Sequence, residues 1–122
     1  MEYLLKYPEK IRFVLIRCWS LETSSIWSAA NPARGQCGVT ALVVQDYFGG
    51  DILNTPVEGL WHFYNRIAEI RFDFTATQFE HTLDYKEMIS NREEAFRDTT
   101  DSQYIVLFNR FSGEMQNMIS GI

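Results

Sequence analysis

Apolar residues recur at helical spacing near the start of the chain. Over residues 8–19 they fall at intervals of three and four, which predicts a helix with a single core-facing stripe. Proline at the first turn suits this start, because an N–H at that position would have no partner within the helix. The stripe consists of Ile11, Val14, Leu15 and Cys18. Cys18 is therefore expected to be a packed thiol rather than a reactive one.

A second segment, residues 37–48, is apolar on nearly every side and ends at the pair Gly49-Gly50. A helix with this pattern is buried all round, and a glycine just beyond it supplies a left-handed cap. The β-branched residues within 40–44 would also suit a strand. The length of the segment and its glycine stop favour a helix.

After these glycines, apolar residues recur at every second position, as in a β-strand. Residues 51–57 form a predicted strand, which Pro56 confines to a sheet edge or a bend. Residues 61–67 and 70–75 are predicted to pair as a hairpin that turns near residues 68–69. This part of the chain therefore contributes a small antiparallel sheet.

The remaining segments differ in character. Residues 20–36 are rich in Ser, Thr, Asn, Pro and Gly, which predicts a loop. A loop of that length in a small domain is usually functional or packed by its own side chains. Residues 80–97 are polar, with weak helical character over 91–96, and a final helix is expected with Thr100 or Asp101 as its cap. The apolar stripe of this last helix comprises Tyr104, Leu107, Phe108 and Phe111.

Composition narrows the class of protein. The chain has 122 residues, 46% hydrophobic and 15% aromatic, which predicts one globular α+β domain spanning residues 1–122. Its net charge of −5 excludes the basic surface that nucleic-acid binding requires. No apolar run approaches the ~18 residues of a membrane span, and no secretory signal is recognisable. Two cysteines do not make a disulfide framework, so we expect a cytoplasmic protein with reduced thiols.

Cys37 lies where an irregular, glycine-containing approach runs into the apolar helix. The first amides of a helix lack partners and the peptide dipoles place partial positive charge there, so a thiolate at such an end is stabilised. Gly35 and Gly38 leave room around the sulfur for a ligand. The alternative is that Cys37 is one more small apolar residue in a buried helix.

The predicted hairpin places a histidine and a carboxylate on one face. Side chains alternate along a strand, so every even-length turn leaves His62 and Asp73 on the same side of the sheet. A four-residue turn would set them directly opposite, and a two-residue turn would set them diagonally but within reach. An acidic residue in that position fixes the tautomer of the histidine and stabilises the imidazolium.

These three residues predict a thiol enzyme of the acyl-transfer class. Cys37 would attack an acyl carbon, His62 would act as general base and then acid, and Asp73 would orient His62. The amide of Cys37, assisted by Asn31 or Gln36, would bind the oxyanion. The expected substrate is a peptide or a small amide-containing molecule, and no cofactor is expected. The predicted cleft is lined by Trp19, Ser20, Trp27, Trp61 and Tyr64.

The chain order Cys37, His62, Asp73 resembles that of papain-like and transglutaminase-like thiol enzymes. The resemblance implies an α+β, papain-like core, in which the helix that carries the cysteine packs on a small antiparallel sheet, flanked by N- and C-terminal helices. The separation of Cys37 and His62 is much shorter than in papain-like peptidases, which leaves little room for substrate subsites.

Several spaced motifs between residues 18 and 79 carry a more specific resemblance. They are Cys18-Trp19-Ser20, Thr23-Ser24, Trp27, Asn31-Pro32, Gly35-Gln36-Cys37, residues 39–46, Gly49-Gly50, His62, Asn65-Arg66, Asp73, Thr75 and Gln78-Phe79. In this order they resemble the YunG family of small, uncharacterised bacterial proteins. The resemblance implies a shared fold and names no activity, so the triad depends on the chemistry of its residues and on the papain-like likeness.

Two alternatives stay open. The same scaffold could bind a peptide or small ligand in its aromatic cleft without catalysis, with Cys37 incidental. A metal site built from Cys37, His62 and Asp73 would have three ligands and an open position. The sequence offers no close-spaced ligand pair such as C-x-x-C, so no metal is predicted. The oligomeric state is not predicted.

Overall fold

The computed structural model describes residues 2–120, which form an α+β fold with one four-stranded antiparallel sheet. Helices and strands follow one another as α1 (Glu2–Lys6), α2 (Pro8–Cys18), α3 (Cys37–Phe48), β1 (Asp51–Val57), β2 (Leu60–Ile67), β3 (Ile70–Phe72), a 3₁₀ helix (Ala76–Gln78), β4 (Met88–Ile89), α4 (Arg92–Phe96) and α5 (Asp101–Ser120). The hydrophobic pattern does not predict the short elements α1 and β4.

Helix α3 is the buried centre of the fold. Residues 37–48 form an α-helix, which confirms the prediction of a helix rather than a strand, and seven consecutive residues, 38–44, are buried. The helix ends at Gly49 and Gly50, both with positive φ, as the glycine stop predicts. A Cβ on Gly50 would lie 2.4 Å from the carbonyl oxygen of Arg66, so only glycine allows the chain to pass this close to β2.

The sheet has the strand order β3-β2-β1-β4, and α3 packs against β2. A buried hydrogen bond joins them, because Asn65 Nδ2 donates to the carbonyl oxygen of Ala41 over 3.0 Å. Strand β4 pairs only with Leu53 and Asn54, so β1 has an unpaired edge near Pro56. That edge is where a proline is tolerated in a sheet, as predicted.

The predicted hairpin is confirmed, with a two-residue turn. Ile67 pairs with Ile70, and the intervening Ala68 and Glu69 both have positive φ, as a tight hairpin turn requires. The second strand is shorter than predicted, ending at Phe72 instead of residue 75. The chain leaves the sheet there to form a turn and the 3₁₀ helix.

Helix α5 packs against α3, and α2 packs against α5. The predicted stripe of α2 is buried, and burial raises the pKa of its Cys18 to about 11. In α5, Leu107 and Phe111 are buried as predicted, whereas Tyr104 and Phe108 are partly buried. Within residues 2–120 no helix combines the length and apolar character needed to cross a membrane.

Thr100 caps α5, as predicted. Its Oγ1 accepts the N–H of Gln103, and Gln103 Oε1 accepts the N–H of Thr100 in return. Two otherwise unpaired amides at the helix start are satisfied by this reciprocal pair.

The polar segment before α4 is held to the sheet by Thr55, whose Oγ1 accepts the N–H of Lys86 over 3.0 Å and donates to the carbonyl oxygen of Asp84.

Candidate active site

Cys37 is the first residue of α3 and is half-buried. The turn that leads into it passes through Gly35, whose φ of 72° suits glycine. Gly38 lets the first turn of α3 lie against the end of α4, since a Cβ there would be 3.0 Å from the carbonyl oxygen of Ala95 and from Thr99 Oγ1. The position of the thiol is therefore determined by close packing on both sides of Cys37.

His62 and Asp73 form a buried pair. The distance between His62 Nε2 and Asp73 Oδ2 is 2.7 Å, and their side chains are 2% and 5% exposed. Three more donors reach the Asp73 carboxylate: the hydroxyl of Tyr85 over 2.8 Å, and the N–H and hydroxyl of Thr75 over 3.3 Å each. Four donors therefore hold the Asp73 carboxylate in one orientation.

The imidazole ring is also fixed by aromatic contacts. Phe79 meets it edge-on with ring centroids 5.0 Å apart, and Tyr64 stacks beside it at 6.1 Å. Because Asp73 occupies Nε2, Nδ1 is the ring nitrogen left for Cys37. Nδ1 is buried and makes no hydrogen bond among the described residues, so the contact with the thiol is looser than a formed hydrogen bond. Such contacts are commonly loose before substrate binds.

The pKa of His62 depends on its burial and on the charges around it. Burial lowers this pKa, but the hydrogen bond and charge of Asp73, together with the nearby Cys37, outweigh burial and raise it from 6.5 to about 9. The direction of this shift favours the protonated imidazole. A protonated histidine beside a cysteine at a helix start is the arrangement that supports a thiolate.

The sequence does not point to Tyr85 as a site residue, because it lies in the polar segment 80–97, which shows no periodic pattern. Its ring packs edge-on against Tyr64 and stacks under the guanidinium of Arg71, 3.8 Å from the ring centroid. Burial and the neighbouring Asp73 raise the pKa of Tyr85, so its hydroxyl remains a donor to that carboxylate.

A cavity of about 460 Å³ opens beside the pair, and both Cys37 and His62 line it. Its other walls are residues 24–26 and Gly35, the β1–β2 turn with the adjoining strand ends at 57–61, Gln78 and Phe79, and Asp98 and Gln103. Leu60 and Trp61 are 75% and 50% exposed at its rim. Glu58 and Asp98 contribute carboxylates, and no lysine or arginine among residues 2–120 lines it.

Of the predicted cleft residues, Trp61 lines this cavity, whereas the others serve the fold. Trp19 is buried and donates from Nε1 to Thr40 Oγ1 over 2.9 Å. The hydroxyl of Ser20 accepts from Arg110 Nη1 over 2.8 Å. Trp27 packs against the hydrophobic core, and Tyr64 is buried behind His62. Among the five residues of the predicted aromatic cleft, the wall of this cavity includes Trp61.

The two predicted oxyanion donors lie outside the cavity wall: the amide of Asn31 is engaged elsewhere, whereas Nε2 of Gln36 has no partner among the described residues. Asn31 Nδ2 donates to the carbonyl oxygen of Gln78 over 3.1 Å. Gln36 is fully buried, and its Oε1 accepts from the hydroxyl of Thr23 over 2.9 Å. Neither residue lines the cavity, whereas Gln78 does. In the sequence, Gln78 is marked only by its place in a family motif.

The alternative of a metal site gains no support. Across residues 2–120, no group of three or more His, Cys, Asp or Glu side chains is arranged to hold a metal ion. Although Asp73 contacts His62, its carboxylate is also occupied by Tyr85 and Thr75. The arrangement is better suited to orienting an imidazole than to coordinating a cation.

Fold and site together define an α+β domain with a buried His–Asp pair beside a cysteine at a helix start. The chain belongs to the YunG family, because the profile described as "YunG protein" matches residues 7–116. It is similar to "Uncharacterized protein YunG" of Bacillus subtilis (strain 168), with 46% identity over 110 residues, which cover 90% of this chain and 96% of that protein. No solved structure matches the chain significantly.

Proposed function

We propose that this protein is a thiol-dependent hydrolase or acyltransferase that uses Cys37, His62 and Asp73. The observation that supports it most is the buried 2.7 Å contact between His62 Nε2 and Asp73, which leaves Nδ1 for the thiol. A buried ring nitrogen without a hydrogen-bond partner costs folding free energy, so such atoms often have a functional role. Proton transfer to and from Cys37 and the substrate is the role that we propose for Nδ1.

In the proposed reaction, the thiolate of Cys37 attacks the carbonyl carbon of an amide or ester, and a C–S bond forms. The bond from that carbon to the leaving group then breaks, and Nδ1 of His62 gives its proton to the departing amine or alkoxide. Water, or an acceptor amine or alcohol, next attacks the thioester while Nδ1 takes its proton. Cys37 leaves as the thiolate, so the enzyme returns to its starting state.

The papain-like character of the site belongs to the same proposal. In support, the helix that carries Cys37 packs on the strand that carries His62, and helices flank this core on the N- and C-terminal sides. Peptidase, amidase, deamidase and transferase outcomes share this chemistry. Both cysteines are free thiols, which suits the cytoplasmic location that we propose for the reaction.

The cavity supports a peptide or small amide-containing molecule as the partner. Exposed Leu60 and Trp61 offer apolar surface at the rim, while Glu58 and Asp98 disfavour an anionic substrate. A volume of about 460 Å³ accommodates a few residues of a peptide rather than an extended chain.

Alkylation of Cys37 by iodoacetamide against pH tests the proposal. In the wild type we expect fast modification already near pH ~6, because the imidazolium supports the thiolate. His62→Ala should slow it by roughly tenfold or more at that pH, whereas His81→Ala is the matched control, because His81 is the other histidine and is exposed. Mass spectrometry separates Cys37 from Cys18, which is buried and should react slowly.

An alkylation rate that follows an ordinary thiol near pH ~8.5 and ignores His62 would contradict the enzyme proposal. That result would favour the second candidate, a ligand- or peptide-binding module on the same scaffold. The exposed apolar rim formed by Leu60 and Trp61 is the observation in favour of the second candidate.

A further inference from the structure

Gln78 is held from three directions at the wall of the cavity. Its N–H donates to the carbonyl oxygen of Thr75 over 3.1 Å, and its own carbonyl oxygen accepts from Asn31 Nδ2 over 3.1 Å. Its side-chain Oε1 accepts the N–H of Gly35 over 3.3 Å. Because the Gly35 N–H is a donor, the atom that faces it must be the amide oxygen of Gln78. This contact therefore fixes the orientation of the side-chain amide and the position of Nε2.

Nε2 of Gln78 is buried and has no hydrogen-bond partner among the described residues. Buried amide donors are nearly always partnered, so this N–H in a cavity wall is a donor available to an acceptor that enters the cavity. Gln78 lines the same cavity as Cys37 and His62. An acceptor atom of a substrate that meets the thiol would therefore lie in the same cavity as this donor.

We propose that Gln78 Nε2 and the main-chain N–H of Cys37 bind the carbonyl oxygen of the substrate and stabilise the oxyanion that develops on it. This inference rests on the proposed thiol chemistry. The N–H of Cys37 is available because it belongs to the first turn of α3, where amides have no partner within the helix. Asn31 assists from behind, because its amide fixes the Gln78 main chain instead of reaching the substrate.

The short segment 73–79 contains Gln78 together with residues that position His62. Asp73 orients His62, Phe79 packs on the imidazole, and Gln78 presents the donor. Their common placement means that one short turn would position both the imidazole and the side-chain donor for the oxyanion. Preorganised donors of this kind are effective because they need no reorientation during the reaction.

Two reactions of Cys37 with different geometries test the inference. Acylation by p-nitrophenyl acetate passes through a tetrahedral oxyanion, in which the C–S bond forms and p-nitrophenolate leaves with its electron pair. Alkylation by iodoacetamide displaces iodide at a saturated carbon and forms no oxyanion. Replacing Gln78 by methionine keeps a side chain of similar length without charge and removes both N–H donors. Gln116→Met, on the exposed face of α5, is the matched control.

We expect Gln78→Met to slow acylation about 10- to 100-fold while alkylation changes less than about threefold, with both rates unchanged in the control. Equal effects on the two reactions, or none on acylation, overturn the inference while His62-dependent alkylation still supports the thiol proposal. Failure of acylation in the wild type, with alkylation still dependent on His62, also overturns it. Alkylation that is independent of His62 removes the proposed function itself. Thermal unfolding verifies that each variant is folded.

Discussion

His62 and Asp73 lie diagonally across the hairpin, not directly opposite each other, and still approach to 2.7 Å between Nε2 and Oδ2. Extending the register from Ile67 and Ile70 would place Asp73 across from Tyr64. The contact forms because the chain leaves the sheet after Phe72, which frees the carboxylate to turn towards the imidazole. The end of a strand, not its pairing, therefore completes the candidate triad.

The charge on His62 depends on Asp73. Removing that charge by Asp73→Asn leaves burial to act on the imidazole, and burial lowers the pKa. We expect the titration midpoint of His62 to fall from about 9 by at least one unit, and Cys37→Ser to lower it as well, because Cys37 also raises this pKa.

Proton NMR of the imidazole C–H signals against pH measures this directly, because the chain has only two histidines and His81 provides a second signal in each spectrum. A His62 midpoint that stays in place in Asp73→Asn would show that the carboxylate does not support the imidazolium.

Gly38 should be intolerant of a side chain. A Cβ there would lie 3.0 Å from the carbonyl oxygen of Ala95, so Gly38→Ala must push the first turn of α3 away from α4. We expect the free energy of unfolding to fall by about 1–2 kcal/mol, as overpacking usually costs, despite the better helix propensity of alanine.

Gly113→Ala is the matched control, because a Cβ at that helical position meets nothing within 4 Å. Its unfolding free energy should rise by about 0.5–1 kcal/mol through helix propensity alone. Urea denaturation measures both variants, and a stabilised Gly38→Ala would mean that the α3–α4 contact is not tight.

Asp98 should select against negative reagents at Cys37. It lines the cavity, and its Cβ would lie 3.8 Å from a Cβ placed on Gly38, the neighbour of the cysteine. Asp98→Asn is expected to raise the ratio of iodoacetate to iodoacetamide alkylation rates about two- to threefold at low ionic strength, with less effect in high salt.

Asp84→Asn is the control for this measurement, because Asp84 is an exposed carboxylate outside the cavity wall. The same increase in both variants would attribute the effect to the net charge of −5 instead of to the cavity.

The sequence predicts well those features that depend on local pattern. The helices over residues 8–18 and 37–48 and the hairpin turn follow from periodicity. Strand parity also predicts a shared face for His62 and Asp73, but Asp73 lies beyond the end of β3, so their contact has a different origin from the predicted one. Two short elements, α1 and β4, have no such signature, because a segment of two to five residues is too short to show a hydrophobic period.

The lining of the cavity is less predictable, because it depends on how distant loops meet. Trp19 is close to Cys37 in sequence, yet its indole is buried against Thr40 inside the fold. Tyr85 and Gln78 reach the site through turns whose paths have no sequence period. Hydrogen bonds between residues that long loops bring together can therefore be seen in the structure, but the hydrophobic pattern of the sequence does not predict them.

The candidate triad lies within one uninterrupted stretch, from α3 through β3 and the residue after it. Closing this stretch costs little chain entropy, because each element packs on one nearby in sequence. The contacts between α2 and α5 span most of the chain, as in the ion pair of Arg17 and Glu114. We expect the stretch to form early in folding and the terminal helices to dock later, an order that pulsed hydrogen exchange during refolding would reveal. The chemistry of the protein would then be assembled before its outer layer is complete.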